Sequence, residues 1–214
     1  FNDRLATVDV LYDLAFMVMD LWRRGLHGLA STLANHYLDH AGQEDGAALL
    51  PFFSALRAEV RAHVTATQAE DGPAGLQAEA RTFYDLALEM LRPARPGLVA
   101  IGGLSGSGKS TVAAALAPEV GAPPGARLIE SDRVRKALFG VAAETRLPPE
   151  AYAPEISDRV YAQMAGRARA LVSAGCPVVV DATYDRPDRR AAIAAAAAEA
   201  GVPFLGVWLD VDPA

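Results

Sequence analysis

"GLSGSGKS", residues 103–110, lies between a short apolar run, "LVAIGG" at 98–103, and a helical pattern, "STVAAALAPEV" at 110–120. The octet fits G-x-x-x-x-G-K-[ST], a loop that joins a strand to a helix and cradles phosphates. Gly103, Gly106 and Gly108 let the backbone wrap tightly, and Ser105 and Ser107 stand between them. The N–H groups of such a loop point inward at phosphate oxygens. The first turn of the following helix adds unpaired N–H groups and the positive end of its dipole. Lys109 has the reach for β- and γ-phosphates, the Ser110 hydroxyl is placed for Mg2+, and Thr111 stands next to it.

The pattern downstream repeats the alternation. "ARLIE" reads as a strand, "RVRKALFG" as a short helix, and "PEISDRVYAQMAGRARALVSAG" as a long helix with Ile156, Val160, Met164, Ala168 and Leu171 on one face. "CPVVVD" is a buried strand, "PDRRAAIAAAAAEAG" an alanine-rich helix ended by Gly201, and "PFLGVWL" another strand. Strands alternating with helices predict an α/β domain, a parallel sheet covered on both faces. Upstream, "RPARPG" holds two prolines and a glycine, so residues 93–96 read as a linker between units 1–92 and 97–214.

Residues 1–92 read as helical. Four apolar stripes recur at three- and four-residue spacing: Leu11, Leu14, Ala15, Val18 and Trp22; Leu26, Leu29, Leu33 and Tyr37; Phe53, Leu56, Val60 and Val64; Leu76, Ala80, Phe83, Ala87 and Met90. "AGQEDG" and "EDGPAG" break the helices. His36 and His40 are four apart, but no third ligand accompanies them, so two solvated histidines are the expectation.

Composition narrows the classes. The 214 residues are 51% hydrophobic and 21% charged, an ordinary globular balance able to bury a core. A net charge of −6 gives no general attraction to nucleic acid or anionic membrane. No apolar run approaches the roughly 20 residues of a membrane span. The single cysteine, Cys176, excludes an internal disulfide and fits a reducing cytoplasm. Of the 20 basic residues only Lys109 and Lys136 are lysine, which makes a lysine in the loop more telling. The chain opens on Phe1 and closes on "VWLDVDPA" as a strand finishes, so a piece of a longer protein is expected.

Two carboxylates stand out. Asp181 ends the valine strand and fits a metal carboxylate at a strand tip, with a turn cap as the other reading and Thr183 close by. Asp132 follows "ARLIE" and so lies on the C-terminal edge of the sheet, where open α/β sheets bind ligands. It suits an acceptor hydroxyl whose proton it takes, or a helix N-cap. Arg135, three residues on, is placed to balance Asp132 or bind an anionic group. Arg186, Arg189 and Arg190 are further candidates for phosphate or acceptor, or solvated helix charges.

With "SDRVRKALFG" and "DATY" on the page, residues 97–214 resemble the small P-loop kinases of the gluconate kinase, zeta toxin and chloramphenicol phosphotransferase type. They resemble most the "AAA family ATPase" kinases that carry "SDxxRKxLFG" and "DATF". The resemblance implies ATP and Mg2+ as cofactors, Asp132 acting on the hydroxyl of a small-molecule acceptor, and Arg135 binding acceptor or phosphate. It also implies a lid and a further strand beyond the segment seen here. "FNDRLATVDVLYDLAF" resembles the C-terminal lobe of aminoglycoside-phosphotransferase-like kinases, through Phe1, Asn2, Arg4, Asp9, Asp13, Leu14, Ala15 and Phe16. No catalytic residue is carried into that half, and Asp13 is expected to be structural. Together the halves resemble bacterial bifunctional proteins. Two other functions share these features: a polynucleotide 5′-hydroxyl kinase, which the net charge argues against, and a nucleotide-gated regulatory module without an acceptor.

Overall fold

Four strands, the first three each followed by a helix, are what the second half of the sequence asks for, and the chain forms them. The computed structural model describes residues 8–70, 72–93 and 95–210. Phe1, Asn2 and Arg4, named in the resemblance above, lie outside the described residues, as do Ala94 of the linker and the last four residues. The chain divides into two compact units, Phe1–Ala94 with Ala122–Gly125, and Arg95–Gly121 with Ala126–Ala214.

The first unit is helical: α1 (Val10–Arg23), α2 (His27–Ala41), a 3-10 segment (Glu44–Leu49), α3 (Leu50–Gln68) and α4 (Leu76–Met90). Asp9 caps α1, its carboxylate accepting from the Leu11 N–H at 2.9 Å. The inward faces of α1 and α4 are those that the spacing predicts. In α2 and α3 they are not. The buried residues are Ala30, Ser31, Ala34, Asn35 and Leu38 in α2, and Leu50, Ser54, Ala55, Ala58, Ala62 and Thr65 in α3. Leu29, Leu56, Val60 and Val64 are exposed. Small residues let helix axes approach closely, and that close packing outweighs the leucine and valine stripe. Asp13 accepts from Arg57 Nη2 at 2.8 Å and so ties α1 to α3. His36 and His40 are exposed on α2, and no group of three metal-ligating side chains occurs among the described residues. No helix among them is long and apolar enough to cross a membrane.

The second unit runs β1 (Leu98–Gly103), α5 (Lys109–Leu116), β2 (Arg127–Glu130), α6 (Ser131–Leu138), α7 (Pro154–Ser173), β3 (Val178–Asp181), α8 (Pro187–Glu199) and β4 (Phe204–Leu209). The strands form one parallel sheet in the order β2-β3-β1-β4. Register pairs Ile101 with Asp181 and Glu130 with Asp181, so β2 and β3 end on one row and β1 runs two residues beyond it into the loop. Val178, Val179 and Val180 are fully buried, as a strand covered on both faces requires. On one face Val99, Ile101 and Val179 pack with Ala113 of α5. On the other, α8 lies over Ala100 and Gly102, and α7 buries Val160, Met164, Ala168 and Leu171. Proline at the first turn starts both α7 and α8, where its missing N–H has no cost. Cys176 is buried just before β3.

Candidate nucleotide site

The loop between β1 and α5 is built on glycines in left-handed or sterically closed positions. At Gly103, φ is 146°, and a Cβ would stand 2.7 Å from both the Leu209 carbonyl and Ser107 Oγ. Gly108, the N-cap of α5, takes the left-handed φ of 83° that turns the chain into the helix. The N–H groups at the start of α5 are thereby left to a ligand. Lys109 lies across the loop, its Nζ donating to the Leu104 carbonyl at 2.6 Å. Ser107 Oγ is closed in under the loop without a partner, an orphaned hydroxyl within the cradle. Ser105 and Thr111 are exposed on either side.

Sequence reasoning linked Ser110 and Asp181 through a shared metal, and the fold brings them together. Ser110 Oγ donates to Asp181 Oδ2 at 2.5 Å across 71 residues of chain. Asp181 is only 5% exposed. Burial pushes its carboxyl above the ordinary value, while the Ser110 hydrogen bond and the charge of Lys109 pull the other way. A buried carboxylate beside a hydroxyl is a hard oxygen pair suited to Mg2+, which takes few protein ligands and completes its shell with phosphate and water. The residues present fit that ion.

Asp132 stands in the first turn of α6. The N-cap is Glu130, so the capping reading does not describe Asp132. Its carboxylate is exposed and pairs with Lys136 Nζ at 2.7 Å. The expected balance by Arg135 is corrected here. Arg135 is 7% exposed, and its Nη1 donates to the Ala151 carbonyl at 2.7 Å and to Ser157 Oγ at 3.3 Å. Its guanidinium lies 4.8 Å over the Tyr152 ring. On a helix the i,i+4 partner reaches Asp132, while Arg135 turns inward to the Ala151 carbonyl. The spacing of Asp132 and Lys136 was in the sequence and gave the signal for this pair.

The three later arginines also sort themselves. Arg190 Nη1 donates to the carbonyls of Tyr184 and Asp185, at 2.6 and 2.9 Å. Arg189 pairs with Asp158 and Asp185 and stacks 4.2 Å over the Tyr161 ring. Arg186 is exposed and pairs with Asp188 and Asp158. These arrangements follow a strained turn that no motif announced. Tyr184 has φ of 47°, a left-handed value that costs a non-glycine residue about 1–2 kcal/mol. Its ring is buried and burial pushes its hydroxyl pKa far up.

Residues 98–214 match the family described as an AAA domain. Uncharacterized proteins of Mycobacterium bovis and Mycobacterium tuberculosis H37Rv are each 32% identical to the chain over 195 residues. The match takes in 89% of this chain, and the chain spans 38% of the length of those relatives. The APS kinase CysC of Mycobacterium tuberculosis, solved as a cysteine-to-alanine mutant, is similar at a TM-score of 0.41 and 25% identity, over 56% of this chain and 78% of that one.

Proposed function

The chain belongs to the AAA domain family through residues 98–214, and from that premise we propose that this unit is an ATP- and Mg2+-dependent phosphotransferase acting on a hydroxyl of a small molecule. The observation that carries the reading is the 2.5 Å bond between the exposed Ser110 and the buried Asp181, beside a glycine-rich loop. Loop amides and Lys109 would hold the phosphates, with Ser110 and Asp181 serving the ion. Bound Mg2+ would neutralise charge on the phosphate oxygens. Asp132, exposed two residues beyond the end of β2, would orient the acceptor hydroxyl and take its proton as the new P–O bond forms. Lys136 would hold that carboxylate in place through their 2.7 Å ion pair. Arg135 is assigned to holding α6 against the segment before α7, and through it Asp132. Of the later arginines, Arg186 is the one free to exchange its exposed partners for an anionic group. The first unit is proposed as the C-terminal part of an aminoglycoside-phosphotransferase-like domain, on the strength of "DVLYDLAF".

The test is a metabolite screen of the full-length protein with γ-labelled ATP, repeated with Asp132→Asn. The variant is expected to bind ATP as the wild type does and to lose transfer by about 10²-fold or more. Unchanged transfer would remove Asp132 from the chemistry.

A further inference from the structure

Tyr161, on α7, belongs to neither the loop, the metal pair nor the acceptor carboxylate, yet the turn after Asp181 is organised around its hydroxyl. Thr183 Oγ1 donates to Asp185 Oδ1 at 3.4 Å. The hydroxyls of Thr183 and Tyr161 meet at 2.7 Å, and either can donate. The Tyr161 oxygen in turn accepts from the Tyr184 N–H at 3.3 Å. The contacts therefore connect the Tyr184 amide through Tyr161 and Thr183 to Asp185. Arg189 closes the circuit by pairing with Asp185 at 3.2 Å while lying over the Tyr161 ring. Inside this circuit sits Tyr184, whose φ of 47° is the one positive value at a non-glycine among the described residues. The other side of the turn abuts the phosphate loop: the Gly103 N–H donates to the Thr183 carbonyl at 3.2 Å. Asp181 stands two residues earlier.

We propose that Tyr161 is a positioning residue for the metal end of the nucleotide site, acting through Thr183 to hold the strained turn that follows Asp181. The inference rests on the nucleotide reading of the loop. Without the Tyr161 hydroxyl, the Tyr184 amide is left buried and unpaired in an unfavourable conformation. The turn shifts to satisfy it, and the shift reaches Thr183 and Asp181. The loop meets that turn at the Gly103 N–H, so Lys109 and the amides at the start of α5, further along the chain, are displaced least. A strained backbone kept beside a ligand site is the arrangement expected where geometry matters more than stability.

The experiment measures ATP affinity of the full-length protein by calorimetry, with Mg2+ and with chelator, alongside a thermal melt. Tyr161→Phe keeps the ring against Arg189 and Tyr184. It is expected to weaken Mg·ATP binding by about tenfold, the loss of two ordinary hydrogen bonds, and metal-free ATP binding by no more than about twofold. Thr183→Val, which leaves Tyr161 untouched, must show the same metal-selective loss, and Thr183→Ser must not. The double variant must be no weaker than either single one, because both break one chain of bonds. Equal losses with and without Mg2+, or wild-type affinity in both single variants, overturn the inference while leaving the loop assignment standing. A wild-type protein that binds ATP in neither condition overturns the nucleotide reading itself.

Discussion

Replacing Asp181 by asparagine should make the ligand-free protein more stable and less able to use Mg2+. Asp181 is 5% exposed, and burial holds its carboxyl above the ordinary value of 3.8. An acid with a raised folded pKa binds more protons folded than unfolded. Stability therefore falls as pH rises from the unfolded value through the folded one, and by pH 7 the ionised form is a net cost. Asparagine removes that charge and keeps an oxygen to accept from Ser110. Mutational data put the relief of a buried polar group on the order of 1–3 kcal/mol, and each kcal/mol is worth about 2–4 °C in a chain of this size. The ligand-free variant should melt several degrees higher at pH 7, and its lead should shrink toward pH 4. Added Mg·ATP narrows the variant's lead. At 100 times its Kd a ligand contributes about 2.7 kcal/mol, whereas a variant bound tenfold more weakly gains only about 1.4 kcal/mol at the same concentration. Thermal melts across pH 4–8, with and without Mg·ATP, read all of this. A ligand-free variant that melts lower than wild type, yet gains the same increment from Mg·ATP, would refute the placing of Asp181 as a buried metal carboxylate.

Two glycines test the backbone argument in opposite directions. Gly103→Ala places a Cβ 2.7 Å from the Leu209 carbonyl and Ser107 Oγ at a φ of 146°. It should cost about 1–3 kcal/mol or more, seen as a clear fall in Tm; an unchanged Tm would contradict the loop geometry. Gly206→Ala meets nothing nearer than Phe204 at 3.5 Å and should stabilise β4 by about 0.5–1 kcal/mol, checked by denaturant midpoint.

The strands and the loop were readable because each rests on a local signal. Glycines at 103, 106 and 108 and the valine run at 178–180 have few other uses. The partnership of Ser110 and Asp181, 71 residues apart, followed from the chemistry of one ion rather than from spacing. Packing was harder to read. In α2 and α3 the alanine-rich sides turn inward because close helix approach rewards small residues, which a hydrophobicity pattern does not weigh. Arg135 was read as a site residue from its distance to Asp132, yet Ala151 and Tyr152, which claim it, arrive 16 and 17 residues later. Tyr161 gave no signal at all, since its role depends on the conformation of Tyr184 across the fold.

The central claim is that residues 103–111 hold nucleotide phosphates. Titration of the full-length protein with Mg·ATP, against Lys109→Ala, tests it most directly. The account predicts saturable binding with a component that the variant weakens by about tenfold or more, as loss of a charge-assisted contact of about 1.5–3 kcal/mol requires. Wild-type affinity in Lys109→Ala would contradict it.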